Sequence, residues 1–376
     1  MVAVRVKQAV LMVGGLGTRL LPLTQNRPKP ILPVADKPCI WYLAKSMAEA
    51  GIEEIILACG YKPGEMEALG KGDDLGVSIE YAYEKEPMGT GGALKLLEDR
   101  LDDTFAASNG DVFADFDMGA QIRAHLASDS EITISLAYVE DPSQYGIALL
   151  DDDSRVLRFM ERPKPEETYS HWINSGVYVA ERKVLEDVPE GQFYDFSKEL
   201  FPKLISQGRT IRGVPMSGIW MDVGRPHDLL EASLWVSRNR GTARHDEGEL
   251  LNGSFAPAGS SIEGSRLDES VVSRGCIVKG SDMKRAMLLE GCEVDGATIS
   301  GSILGRGCRV GRGAVITGSV LADYTVVEPG TRVEGDREVR FARPSRAPCR
   351  NPTSRRASPS RGGCPCTART RRGSRR

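Results

Sequence analysis

The 376-residue sequence predicts two folded parts of different kinds. A mostly parallel α/β sheet is expected over residues 1–240, and a left-handed parallel β-helix over residues 256–335. Three observations carry this reading. Apolar strand-like segments alternate with helical ones through the first part. A glycine cluster follows the first of those strands. A 16-residue repeat then fills the second part.

The elements follow in order. QAVLMVG, from Gln8 to Gly14, reads as a buried strand, and Lys37 to Gly51 as a helix closed by glycine. EEIILACG, from Glu53 to Gly60, is a second buried strand. VSIEYAY, GGALKLLEDRL and TFAASNGD continue the alternation. Continuous apolar strands separated by helices require a sheet covered on both faces. Such a Rossmann-like sheet binds ligands beyond the carboxyl ends of its strands. The loops after Val13 and Ser108 are therefore the places to look for chemistry.

Residues 241–255 are polar and glycine-rich and read as a linker. From Ala256 the chain repeats in registers of 16. Gly259, Gly275, Gly291 and Gly307 recur at one phase, and Cys276, Cys292 and Cys308 at the next. Ile262, Val278, Val294, Val310 and Val326 recur at a third. Single aliphatics about six apart (Leu304, Val310, Ile316) suggest short strands with a turn at each corner, the pattern of a left-handed parallel β-helix. The cysteine ladder reads as a stacked inner row of small side chains, because zinc sites use much shorter ligand spacings.

Composition narrows the function. Hydrophobic residues make 40% and charged residues 27%, an ordinary globular balance. No apolar run approaches the ~18 residues of a membrane span, and the N-terminus makes a poor signal peptide, which argues against a secreted or membrane protein. The eight cysteines form no short-chain disulfide framework, so a reducing cytoplasm is the simpler setting. The net charge of −3 hides a division: twelve arginines lie between Arg340 and Arg376, with no acidic residue. The rest carries 37 basic and 52 acidic residues, and an acidic body argues against broad nucleic-acid binding. Residues 336–376 lack the apolar content for a core and are expected to be disordered. Their abrupt change of composition reads as a reading-frame slip; a basic tail binding RNA or anionic membrane is the alternative.

The chemistry concentrates at Leu11–Thr24 and Arg27–Pro30. Glycines after a buried strand free backbone N–H groups for phosphate oxygens. No GK[ST] follows, so this is not a P-loop, and Leu20 spoils a dinucleotide fingerprint. Arg19 and Lys29 place two cations beside this loop, and the prolines on both sides are expected to hold the backbone of Lys29 extended. The four histidines are scattered, and none lies in the repeat to act as an acyl-transfer base.

GGLGTRLLPLT followed by RPKPILPVADKP resembles the signature of sugar-1-phosphate nucleotidylyltransferases. EPMGTGGAL, SNGD, DPSQYGIAL, FMERP, INSGVYV and IWMDVGRPHDLLEA follow in that family's order. PSQYG, FSKELFPKL and WMDVGRPHD look closest to the mannose-1-phosphate guanylyltransferases. The resemblance implies transfer of a nucleotidyl group from GTP to mannose 1-phosphate, with release of pyrophosphate. It implies Arg19 and Lys29 as catalytic cations. Gly14, Gly15, Gly17 and Thr18 would hold the triphosphate, and Pro87, Gly89 and Thr90 would border the base. Gly146, Glu161, Arg162 and Asn174 would meet the sugar phosphate. Asp111 and Asp222 would hold Mg²⁺, which favours one or two carboxylates plus phosphate oxygens and water.

Arg162 stands where that family usually has lysine, a planar fork in place of a point charge. Lys164, two residues on, is a second cation for the task. Glucose 1-phosphate with UTP or dTTP is the alternative substrate pair. A non-catalytic regulatory or scaffold subunit is the alternative class, although a scaffold needs none of Arg19, Lys29, Asp111 and Asp222. Homo-oligomerisation is expected through residues 256–335.

Overall fold

The computed structural model describes residues 5–15, 17–60, 63–240 and 248–335. All of these lie within one compact unit, Met1–Ala342. Nine strands make the first sheet: β1 (Gln8–Met12), β2 (Glu54–Cys59), β3 (Ser78–Tyr83), β4 (Thr104–Asn109), β5 (Ile132–Tyr138), β6 (Gly146–Leu150), β7 (Val156–Glu161), β8 (Trp172–Glu181) and β9 (Ile211–Pro215). The order is β7-β6-β8-β4-β1-β2-β3, with β5 pairing β8 and β9. β4, β1, β2 and β3 run parallel. Beyond them β8 turns antiparallel to β4, and β5 antiparallel to β8.

Sequence pattern explains the parallel half. Every residue of β1 is buried, and β2 and β4 are buried except at their ends. Helix α1 (Cys39–Glu49) lays Ile40, Leu43 and Met47 against Leu11, Leu57 and Val179. Each fully buried Leu or Ile there contributes about 1.5–3 kcal/mol. The chain leaves β1 to one side and returns through β4 on the other. The resulting switch point lies at the carboxyl ends of β1 and β4.

The repeat forms a parallel β-helix of three sheets with six, five and four strands. Cys276, Cys292 and Cys308 form the expected inner row, all buried, and each Sγ donates to a carbonyl of the next coil at 3.1–3.2 Å. Two details differ from the sequence reading. Glu249–Leu251, inside the stretch read as linker, is a strand paired with Arg266–Asp268, so coiling starts earlier than Ala256. Residues 241–247, and the 336–376 tail reading, lie outside the described residues.

The period also lengthens. Ile277 pairs with Glu293, and Glu293 with Arg309, at a spacing of 16; Arg309 pairs with Val326, and Val315 with Arg332, at 17. The extra residue enters at the turn after Val310, around Gly311–Gly313. A one-residue slip exchanges the two faces of a strand. Val310 therefore stacks on Val327, not on Val326 as the strict 16-residue period had it. Val326 is 60% exposed and Val327 5%. Val327→Asp should destabilise the protein by about 2–4 kcal/mol and Val326→Asp by less than about 0.5 kcal/mol. Thermal unfolding of both variants checks this; equal effects would return the coil to a uniform 16.

Candidate functional site

The site is built from the loop after β1 outwards. Val13 N–H donates to Ala58 O at 2.9 Å, which keeps the chain in the sheet until the glycines begin. Gly14 and Gly15 have open space where a Cβ would project. Gly17 has φ +60°, and a Cβ there would meet Lys29 Cβ and Thr24 Cγ2 at 3.1 Å, so glycine is required on two counts. Thr18–Leu20 is a tight helical turn that sends Arg19 over Gly224, where a Cβ would stand 3.0 Å from the guanidinium.

Lys29 is the centre. Its backbone is not extended as expected: only Pro28 is, and Lys29 starts a short helical turn with Pro30, its side chain only 5% exposed. Nζ donates to Asp111 Oδ2 at 3.0 Å and to Asp222 Oδ1 at 3.2 Å. Arg19 lies 3.5 Å from Asp222 Oδ2. Burial alone would push the Lys29 ammonium down, but the two carboxylates outweigh it, and its pKa is raised. A charge this deep in the protein is tolerable only because it is paired.

The backbone explains why two aspartates 111 residues apart in number meet. Asp111 follows β4, and Gly110 N–H donates to Met12 O at 2.9 Å, which ties together the ends of β4 and β1. Gly218–Asp222 pairs antiparallel with Val112–Phe116, and Asp222 stands opposite Val112. Both carboxylates therefore leave one small sheet at the switch point. Among the described residues no group of three or more His, Cys, Asp or Glu is arranged to hold a metal. Two hard carboxylates within reach of one nitrogen still fit Mg²⁺, which takes its remaining ligands from phosphate and water.

The other expected residues form a second, neighbouring group. Glu161 stands opposite Gly146 in the β6–β7 ladder, and a Cβ on Gly146 would lie 2.7 Å from Glu161 Oε2. Burial, then Asp195, raises the Glu161 pKa, against Arg162 and Lys198. Asn174 donates to Tyr178 Oη at 2.9 Å and Ser197 Oγ at 3.0 Å. Arg162 is exposed, has φ +48°, and its Nε lies 3.8 Å from Glu161. Tyr145 joins the two groups: its carbonyl accepts from Arg162 N–H, its ring packs on Trp220, and burial followed by the Asp222 charge pushes its hydroxyl up to about 12.

The glycines of GTGG are required by packing within the protein. In the structure a Cβ on Gly89 would meet Tyr194 O at 2.6 Å, and one on Gly92 would meet Gln192 O at 2.8 Å. Helix α2 (Gly89–Lys95) thus needs its glycines to pack on the 192–196 segment, where Thr90 Oγ1 accepts from Phe196 N–H at 2.8 Å. Pro87 lies just before this helix.

Sequence reasoning missed three side chains. Glu84 ends the β3 exit beside Gly60, accepts from Met88 N–H at 3.3 Å and has its pKa raised by burial. The Lys198 charge, in the FSKELFPKL stretch, acts to lower the Glu161 pKa. Tyr145 sat unread inside PSQYG. Among the described residues, His125 is buried between Thr133 and Glu181. No helix among the described residues is long and apolar enough to cross a membrane.

A glycine loop at the switch point of an α/β sheet, two cations and a carboxylate pair define a phosphate-handling protein carrying a β-helix. Residues 8–239 match the family described as Nucleotidyl transferase, and residues 255–344 match the GlmU-like, C-terminal hexapeptide family. The chain belongs to the nucleotidyl transferase family. It is 40% identical over 228 residues to a mannose-1-phosphate guanylyltransferase of Mycobacterium tuberculosis, covering 60% of this chain and 63% of that protein. It is 36% identical over 265 residues to a mannose-1-phosphate guanyltransferase of Schizosaccharomyces pombe, covering 68% and 70%. It is 36% identical over 228 residues to a mannose-1-phosphate guanylyltransferase catalytic subunit beta of Drosophila melanogaster, covering 59% and 61%. The chain thus spans about three-fifths of the length of the first and third of these relatives.

Proposed function

We propose that the protein transfers a guanylyl group from GTP to mannose 1-phosphate and releases pyrophosphate. The observation that carries this is Lys29 held between Asp111 and Asp222 beside Arg19 at the end of β1. The names of the relatives supply the base and the sugar. In the reaction a sugar-phosphate oxygen attacks the α-phosphorus, the new P–O bond forms, and pyrophosphate departs. Two anions must be brought together, so catalysis is positioning and charge neutralisation.

The loop at Gly14, Gly15, Gly17 and Thr18 cradles the triphosphate through backbone N–H groups, with Arg19 alongside. Lys29 stabilises charge that develops during transfer. Asp111 and Asp222 would hold Mg²⁺, which supplies charge neutralisation on the phosphates. Pro87, Gly89 and Thr90 border the base. Gly146, Glu161 and Asn174 orient the sugar, and Arg162 with Lys198 meets its phosphate. Pyrophosphate release over a grid of nucleoside triphosphates and sugar 1-phosphates tests the reading. The GTP and mannose 1-phosphate pair should lead, and a maximum with UTP or dTTP and glucose 1-phosphate would replace it.

Two narrower outcomes follow. Arg162→Ala should raise KM for the sugar phosphate by about tenfold or more, with KM for GTP little changed. A change confined to GTP would put Arg162 at the wrong substrate. Self-association through the β-helix should appear on sedimentation of the full chain, because Ile277, Tyr324 and Val326 are exposed on it. A monomer would remove that part of the reading.

A further inference from the structure

Arg27 is a cation beside the site that the proposed chemistry does not use. It lies two residues before Lys29, and its side chain is 5% exposed. Its two terminal nitrogens donate to the two oxygens of Glu290, at 3.1 and 3.0 Å. Glu290 occupies a corner of the β-helix. The equivalent corners of successive coils carry Arg274, Glu290, Arg306 and Asp323, a row of alternating charge that the register shift to 17 preserves. Asn26 Nδ2 donates to Asp323 Oδ2 at 3.4 Å, so neighbouring residues of the loop engage two corners of this row.

The apolar contacts agree with the polar ones. Leu20 and Leu32, which flank the Arg19 and Lys29 turns, share one buried cluster with Val223, next to Asp222, and with Met287, Leu289 and Ile303 of the β-helix. One face of the β-helix thus underlies both the loop that carries Lys29 and the strand end that carries Asp222. Catalytic groups need placement to within about 0.5 Å, and rigid neighbours supply it.

We propose that Glu290 is a positioning residue: through Arg27 it holds the 17–34 loop so that Lys29 stays between Asp111 and Asp222. The β-helix is then part of the catalytic apparatus as well as a surface for self-association. The pair is bidentate, which adds geometric specificity, and its cation is desolvated, so loss of the partner leaves a buried charge uncompensated.

The test uses the full chain with Glu290→Gln and Glu290→Asp, and rests on the proposed activity for only one of its two readouts. Glu290→Gln should lower kcat by about tenfold or more while KM for GTP stays within about twofold. Amide hydrogen exchange should rise in residues 17–34 and stay unchanged in the β-helix strands. Glu290→Asp should recover more than half of both effects. Unchanged exchange in residues 17–34 would overturn the proposal. So would exchange rising throughout the chain with activity falling in step, since that is a purely structural loss. If the wild-type protein releases pyrophosphate from no substrate pair, the functional reading has failed, and the exchange readout alone decides the role of Glu290.

Discussion

Asp222→Asn and Asp111→Asn are each expected to lower turnover by at least about a hundredfold with the fold intact. Each replacement removes a hard anionic oxygen from the pair that would hold Mg²⁺, yet keeps the size and one acceptor. Lys29 retains a carboxylate partner in either variant, at 3.0 Å from Asp111 or 3.2 Å from Asp222, so its buried charge is never left alone. Unfolding should therefore shift little. The measurement is steady-state pyrophosphate release against Mg²⁺ concentration, with thermal unfolding as the control. Near wild-type turnover at saturating Mg²⁺ would remove that residue from the metal site.

Lys29→Ala is expected to lower kcat by about 10²–10³-fold while KM for GTP moves by less than about threefold. An interaction made mainly with charge that develops in the transition state affects the rate and not ground-state binding. Lys29→Arg should not restore the rate, because a planar fork cannot occupy the compact position between two carboxylates. The sign of the titration fits this role. The Lys29 pKa is raised, so its contribution to stability is complete below the ordinary lysine value of 10.5 and is lost only as pH rises through the higher folded value. No pH dependence near neutrality should come from this group. Loss of GTP affinity with kcat preserved would place Lys29 on the bound triphosphate in the ground state instead.

Much of this was legible in the chain. β1, β2 and β4 are continuous apolar runs because both faces of a parallel sheet are buried, and such runs read directly. The inner row of Cys276, Cys292 and Cys308 was visible because each coil repeats one environment. Asp111 and Asp222 could be proposed from family motifs. Their meeting could not be derived from local sequence, since it depends on the pairing of Asp222 with Val112. GTGG was legible as a family motif, but the crowding of its glycines was not: the atoms that crowd them belong to Gln192 and Tyr194, about a hundred residues away.

By itself, then, the sequence determined the two architectures, the order of their elements and the residue types at the site. Periodicity and local backbone chemistry act over a few residues, and those are what a chain displays. Only the tertiary structure decided that Val327, not Val326, faces the core, because one added residue in a turn leaves the composition of the repeat intact while exchanging the faces of the strand. It alone decided that Arg27 answers Glu290. An arginine's partner is set by which opposite charge the fold brings within reach, and here that charge comes from a coil more than 250 residues further along the chain.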